Sequence, residues 1–146
     1  MENFIDSCLH LKKIPEINGW GVFTKKNIKT GETIEVSPVF LYPKRIVDLA
    51  MYCAIGEGIN EADLGLDRYA VLWDDNESTP MSAVMLGYLS IYNHSNKNNA
   101  YLGVDKINNQ VHVITLRDIF VDEQITVNYG PNWFEQKKNY INYVEF

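Results

Sequence analysis

Cysteine is nearly missing from this chain. Only Cys8 and Cys53 occur in 146 residues, which rules out a disulfide framework or a cysteine-rich zinc site. Long apolar runs are missing too, since no stretch approaches the roughly 18 apolar residues of a membrane-spanning helix. The first residues, Met1 to Asp6, include two acids and lack the basic start of a secretory signal. The sequence therefore predicts a soluble intracellular protein, cytoplasmic or nuclear, with no membrane partner. Basic residues are in deficit: 13 Lys and Arg stand against 19 Asp and Glu, a net charge of −6. That argues against a surface that tracks nucleic-acid phosphates. It suits a basic peptide as partner through long-range attraction, and it suits plain solubility equally. No repeat and no low-complexity linker divides the chain.

What is present is a globular composition, 46% apolar and 22% charged, long enough for one domain over 1–146 with a sizeable core. Leu9–Ile14 alternates and reads as a first, edge strand. Trp20–Thr24 follows a break at Pro15 to Gly19. Glycines at 19 and 21 permit φ > 0 and the close approach of a neighbour, as a hairpin turn also would. Lys29–Glu32 reads as a turn. Thr33–Val36 reads as a strand that Val39–Tyr42 continues beyond Pro38, a residue suited to an edge or bend. Pro43 opens a helix with an apolar face of Ile46, Val47, Leu49, Ala50 and Cys53. Residues 56–68 read as a loop, Tyr69–Trp73 as a strand and 74–77 as an acidic turn.

Apolar residues at 81, 84, 85, 88, 89 and 92 predict helix over Met81–Tyr92. Ala100–Val104 and Gln110–Ile114 read as a hairpin turning at Asn108-Asn109. His112 faces outward between Val111 and Val113, and His10 is likewise read as a surface residue. Ile125–Tyr129 is the last strand, and an aromatic-dense, partly helical tail over 131–146 closes the chain. Many short strands with little long helix make a β-rich α+β domain.

The stretch Leu86–Ser95 ends in Asn93-His94-Ser95. An apolar run that delivers an amide, an imidazole and a hydroxyl into a turn can serve a ligand, or can cap the chain's own backbone around one structural histidine. A metal role for His94 lacks a second ligand at suitable spacing, and Ser95 lacks the Gly-x-Ser-x-Gly elbow of a hydrolase nucleophile. Upstream lies Gly19-Trp20-Gly21 with Gly31-Glu32 after it. Downstream lies Glu123-Gln-Ile-Thr-Val-Asn-Tyr-Gly130.

In this order the motifs resemble those of the SET-domain protein lysine methyltransferases. That family carries an N-terminal Gly-x-Gly, a central Asn-His-Ser and a late Glu-x-(Ile/Leu)-Thr-x-x-Tyr. The resemblance covers about residues 19–134. It implies several small sheets of short strands, few short helices and a knot-like crossing near the C-terminus. It also implies transfer of a methyl group from S-adenosylmethionine to a lysine amine of a basic protein or peptide, a histone tail being the family's usual substrate. Tyr129 matches the catalytic tyrosine. Gly19, Trp20 and Gly21 match the main chain that meets the cofactor, and Asn93 and His94 match the positions at its amino-acid and adenine ends.

The chain departs from the family at Asn96, where many members carry cysteine, and in a tail without cysteine. The sequence therefore predicts no zinc-binding module and no metal. Trp133 and Phe134 become candidates to cover the adenine, with core packing as their alternative. Tyr101, Leu102 and Val127 are candidate walls of a lysine channel. Two alternatives stay open: an inactive SET-like module that binds a peptide or partner, and a β-rich protein with chance matches. A homodimer stays open as well.

Overall fold

Short, β-branched segments separated by turns dictate a strand-built protein. The computed structural model describes residues 2–46, 49, 70–74 and 78–131. The strands are β1 (Phe4–Ile5), β2 (Leu9–Ile14), β3 (Gly19–Thr24), β4 (Thr33–Pro43), β5 (Ala70–Asp74), β6 (Met81–Met85), β7 (Asn93–His94), β8 (Ala100–Asp105), β9 (Gln110–Thr115) and β10 (Gln124–Val127). Two compact units emerge, one running up to Pro38 and again from Gly87, the other spanning Val39–Leu86.

The first unit holds two sheets. In one, β4 lies between β1 and β9 through its residues up to Pro38, and β8 pairs with β9. In the other the order is β2-β3-β10-β7. Its core is aliphatic: Val22, Ile28, Ile34, Val36, Val111, Val113, Ile119, Ile125 and Val127 are essentially removed from water. Burial of this kind is the main favourable term in folding. Ile28 and Ile119 form a β-bridge between loops, so the connectors also close on the core. In the second unit β6 lies between β5 and residues 39–43 of β4, and Ala83 is its fully buried centre.

The β-rich reading holds, including the edge position of Leu9–Ile14, although a two-residue strand precedes it. The hairpin of β8 and β9 forms as expected. Asn109 takes φ 52°, and the Asp105 carboxylate accepts the main-chain N–H groups of Ile107 and Asn108. Residues 44–46 and 49 are helical; the rest of the helix expected after Pro43, the 56–68 loop and most of the acidic turn lie outside the described residues.

Three expectations need correction. Met81–Tyr92 is not a helix. Its first half is β6, paired on both edges, and Gly87 at φ +66° holds a left-handed conformation that no right-handed helix can carry. Gly19 and Gly21 do not use positive φ: both lie inside β3, and the left-handed residue before it is Asn18, at φ 47°. His10 and His112 are half-buried rather than surface residues. His10 packs against the Phe23 ring, and His112 Nε2 is buried with no hydrogen-bond partner among the described residues.

Candidate functional site

The three sequence motifs become three neighbouring strands. β10 pairs antiparallel with β3, Gln124 opposite Phe23 and Ile125 opposite Val22. On its other edge it pairs parallel with β7, Thr126 opposite Asn93 and Val127 opposite His94. Gly-x-Gly, Asn-His-Ser and the strand leading to Tyr129 therefore share one sheet. A parallel pair cannot be joined by a tight turn, and here the connection from β7 to β10 passes through β8 and β9.

Close approach, not backbone freedom, explains Gly21. A Cβ there would lie 2.7 Å from Ile14 Cδ1, 2.9 Å from Gln124 Nε2 and 3.1 Å from Asn93 Nδ2. The Asn93 amide donates to the main-chain oxygen of Trp20 at 3.0 Å, tying the second motif to the first. Gln124 Nε2 beside it is buried and has no acceptor among the described residues. An orphaned donor next to a backbone cradle is a fit for a polar ligand. Trp20 is 54% exposed, and its main-chain oxygen is what the Asn93 amide holds.

His94 is buried. Its Nδ1 accepts the main-chain N–H of Tyr129 at 3.1 Å, so that nitrogen carries no proton. Nε2 then bears the hydrogen and donates to Asn96 Oδ1 at 3.3 Å. Asn96, the departure from the family pattern, thus orients the imidazole. The His94 and Tyr129 rings meet at 5.4 Å between centroids, tilted by 51°.

The Tyr129 hydroxyl donates to the main-chain oxygen of Tyr92. Burial pushes its phenol up to about 12, so at neutral pH it is an uncharged O–H. With its proton directed at a carbonyl, the oxygen faces other groups as an acceptor. Ser95 serves structure: its N–H donates to Val127 O and its hydroxyl accepts from Lys97 N at 3.0 Å.

Val127 is buried on β10. Tyr101 and Leu102 lie on β8 opposite Ile114 and Val113; their membership of a channel rests on the resemblance alone. Trp133 and Phe134 lie outside the described residues. Among the described residues no group of three His, Cys, Asp or Glu is placed to hold a metal, and no helix is long and apolar enough to cross a membrane.

Sequence reasoning missed two residues. Asn99 is buried; its Nδ2 donates to Gln124 O at 2.8 Å and to Glu123 Oε1 at 3.2 Å, and its Oδ1 accepts Thr126 N at 2.9 Å. It does for β10 what a strand partner would do. Only its place in the polar run 96–99 marked it, and that run equally suits a solvated turn. Glu35 is fully buried, although strict alternation with Ile34 and Val36 would turn it outward. A register shift at this point of β4 and packing on both faces of the strand bury it.

The family model of the SET domain matches residues 19–130. The chain belongs to the SET-domain family. The matched span of this SET domain begins at Gly19 and ends at Gly130, enclosing the three motif strands. The "Histone-lysine N-methyltransferase, H3 lysine-37 specific" of Schizosaccharomyces pombe is 29% identical over 123 residues, covering 84% of this chain and 74% of that protein. The SET domain is also similar to a solved Plasmodium falciparum structure described as a candidate histone methyltransferase, with a TM-score of 0.60 and 28% identity over 89% of this chain and 99% of that one.

Proposed function

We propose that this SET domain is a protein-lysine N-methyltransferase that uses S-adenosylmethionine and acts on a lysine of a basic protein, with a histone tail as the first candidate. Family membership and a relative named as a histone-lysine methyltransferase support the lysine methyltransferase activity. The observation that carries the reading is Tyr129, a neutral phenol with its proton held by Tyr92 O. The charge of −6 agrees with a basic substrate, and such a substrate agrees with a nuclear or cytoplasmic setting.

When bound, S-adenosylmethionine supplies a methyl group on a positively charged sulfur. The residues that would hold it are the main chain of Gly19, Trp20 and Gly21, the Asn93 amide and the main chain of His94, with Trp133 and Phe134 covering it. The cradle at Gly21 and the orphaned Gln124 donor fit that assignment. A lysine amine attacks only when neutral, and its reference pKa is ~10.4. Burial lowers that value. The task left to the chain is to exclude water and aim the amine. The Tyr129 oxygen accepts one N–H of the amine, and Val127, Tyr101 and Leu102 wall the approach. No residue is needed as a strong base.

A radiolabelled methyl-transfer assay on core histones and on lysate, with mass spectrometry of the labelled residue, tests the reading. Label on a lysine, kept when metal is chelated and abolished by excess S-adenosylhomocysteine, is expected. A protein that binds the cofactor yet labels nothing across a broad set of basic substrates is instead a binding module.

A further inference from the structure

The buried Glu35 has no part in the site as described so far, yet hydrogen-bond donors converge on it, the main-chain N–H of Leu89 among them. Ser37 Oγ and the main-chain N–H of Tyr88 donate to its Oε1 at 2.7 and 2.8 Å, and the Tyr92 hydroxyl donates to its Oε2 at 2.8 Å. Tyr88 opens a turn closed by Ile91 N donating to Tyr88 O at 2.8 Å, and Tyr92 follows that turn directly. The turn sits so close over the carboxylate that a Cβ on Gly87 would lie 2.4 Å from Glu35 Oε1. The carbonyl directly after the turn, Tyr92 O, is the one that receives the Tyr129 hydroxyl.

We infer that Glu35 is a positioning residue for Tyr129: its carboxylate clamps the 88–92 segment at both ends, and so fixes the carbonyl of Tyr92 that aims the Tyr129 hydroxyl. The inference rests on the methyltransferase reading for its catalytic consequence, but not for the clamp itself. A buried carboxylate is costly and an apolar residue would stabilise the core at least as well. Burial accordingly pushes the Glu35 carboxyl up, against the pull of its donors. What a fully satisfied buried network adds is a single fixed geometry. Here that geometry is passed on by the main chain of Tyr92, one residue before Asn93.

The test uses the full chain labelled with 13Cζ-tyrosine, so that the Tyr129 signal reports its hydroxyl contact whether or not a substrate is known. Tyr92→Phe keeps the ring and the carbonyl and removes only the link to Glu35. Glu35→Ala removes the clamp. Glu35→Gln keeps an oxygen for Ser37 and Tyr88 and an amide for Tyr92. Ile119→Val, in the buried bridge with Ile28, is the control for general loosening. The Tyr129 signal is expected to move in Tyr92→Phe and Glu35→Ala, and to stay near the wild-type position in Glu35→Gln and Ile119→Val.

With core histones and radiolabelled S-adenosylmethionine, the first two variants should lose at least about tenfold in kcat with KM little changed, the pattern of a group acting in the transition state. Glu35→Gln should recover most of that loss. An unmoved Tyr129 signal in Tyr92→Phe overturns the clamp, and so does an equal shift in Ile119→Val. If Glu35→Ala fails to fold, Tyr92→Phe still decides. A wild type that labels no histone defeats the methyltransferase reading, while the tyrosine signals continue to judge the clamp alone.

Discussion

The Tyr129 hydroxyl donates to the main-chain oxygen of Tyr92, 37 residues away in sequence. That bond gives the phenol a direction. Tyr129→Phe keeps the ring against His94 and the main-chain bond to His94 Nδ1, and removes only the oxygen. We expect folding and S-adenosylmethionine affinity near those of the wild type, with methyl transfer down at least about tenfold, on the order of 1.4 kcal/mol in the barrier. Steady-state rates on a labelled lysine check this; equal rates for both proteins would remove Tyr129 from the chemistry.

Asn93 joins the first two motifs through its bond to Trp20 O. Asn93→Ala frees that carbonyl beside the Gly21 cradle. We expect S-adenosylmethionine binding to weaken by about 1–3 kcal/mol, the cost of a polar group left without its partner. Calorimetric titration of the folded variant measures it, and unchanged affinity would take Asn93 out of the site.

The sequence made Gly19-Trp20-Gly21, Asn93-His94 and Tyr129 visible because each is a short motif in a fixed order, and the structure sets their strands side by side. Partners were harder to see. Asn99 acts on β10 across 25 residues or more, and nothing local separates it from Asn98 beside it. Period-two patterning would turn Glu35 outward because it assumes one wet face; β4 here has none between Ile34 and Ser37. Met81–Tyr92 looked helical because its apolar positions fit a 3.6 period, and only Gly87 hinted at the break. Tertiary pairing on both edges of β6 decided the matter.

Asn99→Ala should cost stability without touching ligand chemistry directly. It leaves Thr126 N, already in the core, without an acceptor, and Gln124 O without its donor. We expect at least ~1–3 kcal/mol less stability by urea unfolding. Asn99→Asp should recover only part of this, since it restores the acceptor for Thr126 but sets a carboxylate against Gln124 O. An Asn99→Ala protein as stable as the wild type would mean that β10 does not depend on this amide.

Acid should act through Asp118. The Lys29 ammonium at 2.7 Å and the N–H and hydroxyl of Thr30 hold its carboxyl down to about 2. A carboxyl lowered on folding adds stability that is complete above its unfolded value and is lost as pH falls through the folded one. Stability should therefore decline from about pH 4 toward pH 2, and Asp118→Asn should flatten that slope. The pair is exposed, so added salt should also flatten it. Melting temperatures across this range, with and without salt, provide the check; identical slopes in both proteins would rule the pair out.

Gly87 and Gly31 separate two costs that usually come together. Both have positive φ, +66° and +81°, so replacing either by alanine puts a side chain in a left-handed conformation, at roughly 1–2 kcal/mol. Around Gly31 a Cβ meets nothing within 4 Å, so Gly31→Ala should lose only that backbone amount. Around Gly87 the same atom would lie 2.3 Å from Ser37 Oγ and 2.4 Å from Glu35 Oε1. Both oxygens are held in place by the network around Glu35, so the turn rather than the carboxylate must move. Gly87→Ala should therefore lose a further ~1–3 kcal/mol, as overpacked sites do. Ser37→Ala in the same chain removes one of the two oxygens and should return part of that excess. Urea unfolding of the three variants measures each difference. Equal losses at 31 and 87 would show that the turn does not rest on Glu35 as closely as the geometry has it.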